Sequence, residues 1–202
     1  IYELTMNGRA QTGIVALSSI DDYLAGVCRK HENTVEAKEQ DRIRHVDTCS
    51  MQTGPIFLAY RANPEIEALV QKAKKAEALY DFVTDDGIRH RVWRLDAPET
   101  VARLEALFEA VPSTYIADGH HRAASAVKVG LRRRAAHPDY DGTEEFNYFL
   151  SVLFPDEELK ILDYNRVVHD LHGLDPEDFM FSIEENFLVF HLTQPISPKV
   201  KG

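Results

Sequence analysis

Ser113-Thr-Tyr-Ile-Ala-Asp118-Gly119-His120-His121-Arg122-Ala-Ala-Ser-Ala126 is the stretch on which the fold turns. Its first part, Ser113 to Ala117, is rich in β-formers and reads as a strand. Its last part is rich in alanine and predicts a helix from about His121 to Arg134. A strand that ends in a glycine turn and enters a helix leaves backbone N–H groups free at the helix start. Such a start is a ready anion site. Gly119 lets the backbone approach a ligand closely, and Arg122 can fork onto a phosphate. Asp118, His120 and His121 add groups that exchange protons or pair with charge. The plain alternative is that Asp118 caps the helix and the histidines are solvated. Four ionisable groups within the five residues 118–122 favour a site.

Working outward, strands and helices alternate. Residues 1–6 and 12–18 are β-rich around an Asn7-Gly8 turn and predict a hairpin. Ser19 opens a short helix expected to reach about Arg29. Asn33 and Glu36 have capping-box spacing for a helix running to about Met51. Gly54-Pro55 precedes a buried strand, Ile56 to Tyr60. Asn63-Pro64 starts a helix to about Ala78, and Asp86-Gly87 links β-rich runs at 79–83 and 88–95. Asp96 and Glu99 suggest another capping box, with Val101, Leu104, Phe108 and Val111 on one helical face. Strands are expected at 146–154, 159–164 and 188–192, and a helix after Asp175-Pro176. This pattern predicts an α/β class, specifically an α+β mixed sheet with flanking helices, in one domain over 1–202. The first residues, IYELTMN, read as a strand already in progress, and 197–202 as a cut linker, so the chain reads as a fragment of a longer protein.

Composition narrows the class. The 202 residues are 44% hydrophobic and 28% charged, ordinary for a globular protein. A net charge of −10, from 33 acidic and 23 basic residues, leaves no global footprint for nucleic acid. Cys28 and Cys49 alone give neither a disulfide framework nor a four-thiolate zinc site, which fits a reduced, cytoplasmic setting. No apolar run approaches the roughly 20 residues of a membrane span, so no membrane partner is expected.

A second constellation is His31-Glu32-Asn33-Thr34 followed by Lys38, Asp41 and Arg42. On a helix, Thr34, Lys38, Asp41 and Arg42 share one face, with His31 and Glu32 at its mouth. The ordinary alternative is a solvated, charge-laced face. It is not a zincin, because Val35 stands where HExxH needs histidine. A dedicated zinc site at Asp118, His120 and His121 is disfavoured, since adjacent helical histidines diverge by about 100°. No metal-ligand set is therefore assigned. A Mg²⁺ arriving with phosphate needs only one or two carboxylates, which Asp118 or Glu32 could supply. Arg132-Arg133-Arg134 reads as a helix C-terminal cation run, Tyr164-Asn165-Arg166 as a turn or pocket edge, and His169 and His172 as structural.

Thr12-Gly13, His31-Glu32-x-Thr34, Lys38-x-x-Asp41-Arg42, Gly54-Pro55-Ile56-Phe57 with Tyr60, Asp118-Gly-His-His-Arg122, Asn147-Tyr148 and Ile161-Leu-Asp-Tyr-Asn-Arg-Val-Val168 together carry a resemblance. The chain resembles the bacterial and archaeal DUF1015 family, whose members look longer at the N-terminus. The resemblance brings no established activity. The family's central motif is similar to that of the ParB/sulfiredoxin-like superfamily, where a Gly-x-x-Arg turn holds nucleotide phosphates. Gly119-His-His-Arg122 fits that frame, but His120 stands where sulfiredoxins carry a reactive cysteine, so sulfinic-acid reduction is not expected. The resemblance also leads by analogy to free serine kinases of that superfamily.

The expectation is therefore a nucleotide-dependent phosphotransferase acting on a small hydroxyl substrate such as free serine. It would use ATP or ADP, with Mg²⁺. Gly119, His121 and Arg122 would hold phosphate, and Lys38 and Arg42 would neutralise charge. Glu32 or Asp118 would accept the hydroxyl proton, and His120 would orient the acceptor. Two rivals stand beside it: a ParB-like nucleotide switch without turnover, and a metal-dependent hydrolase using Asp118, His120 and His121.

Overall fold

Asn7 and Gly8 both take positive φ, 52° and 77°, and close the first hairpin between β1 (Tyr2–Met6) and β2 (Arg9–Ser19). A two-residue turn of this hand matches the twist of its strands. The structure, a computed structural model, describes residues 1–162, 167–190 and 193, with the side chains of 37 and 38 outside the description. The chain divides into two compact units, Ile1–Leu159 and Lys160–Gly202.

The first unit is a mixed α/β fold. Its eight-stranded sheet has the order β3-β7-β4-β8-β2-β1-β6-β5 among the described residues. The further strands are β3 (Cys28–Arg29), β4 (Ile56–Tyr60), β5 (Tyr80–Val83), β6 (Arg89–Val92), β7 (Thr114–Asp118) and β8 (Tyr148–Pro155). Only the β3/β7 and β4/β8 pairs are parallel. The helices of this unit are α1 (Ile20–Leu24), α2 (Glu36–Cys49), α3 (Pro64–Ala73), α4 (Pro98–Glu109) and α5 (His120–Ala136). Ile56, Leu58 and Tyr60 alternate into the core with Phe149 and Leu153, against Ala123, Ala126 and Val127 of α5. Small residues let α5 approach closely. A Cβ on Gly130 would lie 2.4 Å from the Phe146 carbonyl oxygen. Arg134, expected only to complement a helix end, instead grips both carboxylate oxygens of Asp21 and the side-chain oxygen of Asn147.

Several boundaries differ from expectation for identifiable reasons. The helix begun at Ser19 stops at Leu24, because Gly26 turns the chain at φ 77° and Cys28–Arg29 joins the sheet. Asn33 does not cap α2: the helix starts after Val35 with no side-chain cap. α3 ends at Ala73 rather than Ala78. There the Ala76 carbonyl accepts the Trp93 indole N–H at 3.1 Å. Asp96 does not cap α4, because its carboxylate pairs with Arg94, and Ala97 holds the cap position.

In the second unit Asp175 caps α6 (Pro176–Glu184), as its Asp-Pro start predicts. Residues 159–162 and 188–190 are not strand. The rest of those two expected strands, 163–164 and 191–192, and the Tyr164-Asn165-Arg166 edge lie outside the described residues.

Candidate functional site

The parallel pairing of β3 with β7 decides which loops meet. Both strands run out at the same edge of the sheet, β3 into residues 30–35 and β7 into the Gly119 turn. The carboxyl ends of parallel strands are where α/β folds place their ligands. β4 opposes β7 with a register shift: Phe57 faces Asp118 but Leu58 faces Ile116, leaving Ala117 as an extra residue. A bulge of this kind re-aims the residues beside it, here Asp118.

A cleft of about 700 Å³ opens at this edge. Glu32, Asp41 and Arg42 line it together with Asp118 to Arg122. Seven of the sequence-predicted site residues, Glu32, Arg42, Asp118, Gly119, His120, His121 and Arg122, thus share one cleft. Lys38 lies on α2, but its side chain is outside the described residues. Thr34, expected on one helix face with Lys38, Asp41 and Arg42, lies before α2 and turns its hydroxyl to Glu39.

Gly119 holds φ 97° at the N-cap of α5, and no side chain caps the helix. A Cβ there would strain the backbone and stand 2.9 Å from the Arg122 guanidinium. Asp118 is not the cap. Its carboxylate accepts from Arg122 Nη2 at 2.8 Å, and the same Nη2 donates to the Pro55 carbonyl at 3.3 Å. The uncapped helix start and the guanidinium therefore open onto the same cleft. Arg122 Nε is buried with no partner among the described residues.

His120 begins α5 and is only 6% exposed. Its Nδ1 lies 3.8 Å from the Glu32 carboxylate, beyond a direct hydrogen bond. The His31 ring meets it edge-on at 4.6 Å. Its Nε2 is buried with no partner among the described residues. Burial lowers the His120 pKa below the ordinary 6.5, His31 adds to this, and Glu32 and Asp118 oppose it. His120 is thus a neutral imidazole at pH 7, with one nitrogen to donate and one to accept. His121 differs. Its Nε2 accepts the Val35 N–H at 3.1 Å, so its ring proton sits on Nδ1.

The cleft is not uniformly basic. Glu32, Asp41 and Asp118 stand beside Arg42 and Arg122. Among the described residues no group of three or more His, Cys, Asp or Glu is placed to hold a metal ion. One or two carboxylates, such as Glu32 and Asp41, fit a Mg²⁺ that arrives on phosphate, whereas Asp118 is already engaged by Arg122. Glu39 and Lys128 were not legible as site residues. They are ordinary charges 89 positions apart that meet only because α2 packs on α5. No helix among the described residues is long and apolar enough to cross a membrane.

The family model described as "Protein of unknown function (DUF1015)" matches residues 1–201. No curated protein and no solved structure matches the chain.

Proposed function

The chain belongs to the DUF1015 family, and we propose that its cleft transfers a phosphoryl group from ATP or ADP to a small hydroxyl substrate such as free serine. The observation that carries this reading is the uncapped start of α5 at Gly119, with Arg122 beside it, opening on the same cleft as Glu32. The kinship of the Gly119-x-x-Arg122 turn with ParB-type and serine-kinase turns belongs to this proposal as analogy.

The chemistry asks for positioning and charge neutralisation rather than a covalent intermediate on the protein. Backbone N–H groups after Gly119, the Nδ1–H of His121 and the Arg122 fork hold the terminal phosphoryl group. Arg42, in the same cleft, balances charge that develops on the leaving phosphate, and Lys38 is assigned the same task. Glu32 takes the proton of the substrate hydroxyl as its oxygen bonds to phosphorus and the bond to the leaving nucleotide breaks. Asp118 holds Arg122 ready and releases it as phosphate enters. His120, neutral and next to Glu32, orients the acceptor. Asp41, with Glu32 or Asp118, would hold a Mg²⁺ that arrives with the nucleotide, which would supply neutralisation of the phosphate charge.

The test is to incubate the protein with ATP or ADP, Mg²⁺ and L-serine and follow ³¹P resonances. Phosphoserine formed at a rate proportional to enzyme supports the reading. No phosphoserine, together with no nucleotide-dependent rise in Tm, overturns it. Nucleotide binding without product would instead favour a ParB-like switch.

A further inference from the structure

Glu39 has no part in the chemistry above, yet it is the carboxylate most deeply enclosed near the cleft. It sits in the first turn of α2, with its side chain 6% exposed. Thr34 and Lys128 both donate to it, one from the segment before α2 and one from α5. Ser125 of α5 donates to the Glu39 carbonyl at 3.4 Å and to the His121 carbonyl at 2.6 Å. One residue further along the segment, Val35 N–H reaches His121 Nε2. Thr34 is thus fastened to Glu39 of α2, which Lys128 ties to α5, and Val35 to the start of α5 at His121; the same segment carries Glu32.

Glu32 itself is 59% exposed and makes no hydrogen bond among the described residues. Its place beside His120 is set by what holds its neighbours. A carboxylate that is buried and doubly paired is costly to leave half-satisfied, so this fastening has a defined geometry. Lys128 and then the Thr34 hydroxyl hold the Glu39 carboxyl pKa below its ordinary 4.5.

We propose that Glu39 is a positioning residue: through Thr34 and Lys128 it pins the His31–Val35 segment to α5 and so places Glu32 at the Gly119 turn. The placement of Glu32 as proton acceptor rests on the phosphotransfer reading; the pinning does not.

The two parts are tested separately on Thr34→Val, Thr34→Ser and Glu39→Gln. Amide hydrogen exchange reads the pin directly. Val35 exchange should accelerate about tenfold or more in Thr34→Val and Glu39→Gln, consistent with losing one charge-assisted hydrogen bond. Amides of β8 should be unchanged, and Thr34→Ser, which keeps the hydroxyl, should match the wild type. Unchanged Val35 exchange in both variants overturns the proposal, as does parallel acceleration in β8, which would mark a general loss of stability. In the turnover arm, with ATP, Mg²⁺ and serine, kcat should fall about tenfold or more in Thr34→Val while KM for ATP is held, with recovery in Thr34→Ser. A raised KM with kcat unchanged overturns the link to Glu32. A wild type without turnover sinks the phosphotransfer reading alone, and Val35 exchange still decides the pin.

Discussion

Two clusters of charge in the first unit each set a glutamate beside basic side chains, and they differ in how fully those groups are paired. At the β1–β2–β6 end, Glu3 is 1% exposed and accepts from Thr12, Lys74 and Arg91, so the carboxylate is ringed by donors. Lys74 and Arg91 also lie over the Trp93 ring, 6.0 and 5.1 Å from its centre. At the β3–β7 end, His120 Nε2 and Arg122 Nε are buried with no partner among the described residues, Glu32 stops 3.8 Å from His120, and a cleft stands open. Natural proteins satisfy nearly all buried polar atoms. A saturated cluster joins elements together. An unsaturated one beside a cleft is a place where a ligand completes the bonding. The contrast separates paired from unpaired charge where composition alone could not.

The sharpest way to break the contrast is to remove one carboxylate from each end. Glu3→Ala should destabilise the fold by about 3 to 5 kcal/mol, since it strands two cations. Glu32→Gln should leave denaturant stability within about 0.5 kcal/mol, as for an exposed site. It should lower phosphoserine formation by about 10²- to 10⁴-fold, the scale of a lost general base. Chemical denaturation and the ³¹P assay read both. Reversal of the two patterns would exchange the roles assigned to the clusters.

A smaller effect is expected at Gly119. Gly119→Ala forces an L-residue to φ 97° and crowds Arg122. The expected loss is about 1 to 3 kcal/mol of stability. Nucleotide protection in a thermal melt should be lost with it. Retained protection would show that phosphate does not use this turn.

The smallest effect is in acid. Burial alone would raise the Glu3 pKa, but hydrogen bonds from Lys74 and Arg91, the Lys74 charge and the Thr12 hydroxyl outweigh it and hold the carboxyl below its ordinary 4.5. Its stabilisation is then complete above pH 4.5 and is lost as pH falls from there through the folded-state value. Glu3→Gln should flatten that part of the stability–pH curve. An unchanged slope below pH 4.5 would place the acid sensitivity elsewhere.

Local chemistry was legible in the residues, and distant pairing was not. The Gly119 turn could be read because a β-rich run, a glycine and an alanine-rich run follow one another directly. The Asn7-Gly8 and Asp86-Gly87 hairpins and the Asp175 cap share that local character. By contrast, β3 is two residues long and shows no periodicity, yet it brings residues 30–35 to the turn. α3 ends at Ala73, and beyond it the Ala76 carbonyl accepts from Trp93, 17 positions away. Helical spacing that presumes a start near Asn33 puts Thr34 on one face with Lys38, Asp41 and Arg42. With α2 beginning at Glu36, Thr34 lies outside the helix and turns to Glu39. Glu32 and Arg42 stand in one local constellation in the sequence, but only the β3–β7 pairing and the packing of α2 on α5 bring them to one cleft with Asp118.

The proposed phosphotransfer stands on nucleotide phosphate binding at the Gly119–Arg122 turn. Calorimetric titration of MgATP into the wild type, Arg122→Ala and Arg103→Ala tests it most directly. Arg103 pairs with Glu65 on the exposed faces of α3 and α4 and serves as the control. The account predicts saturable binding by the wild type and Arg103→Ala, weakened about tenfold or more in Arg122→Ala, in keeping with one charged hydrogen-bonding group lost. No binding by the wild type, or equal affinity in all three, would contradict it.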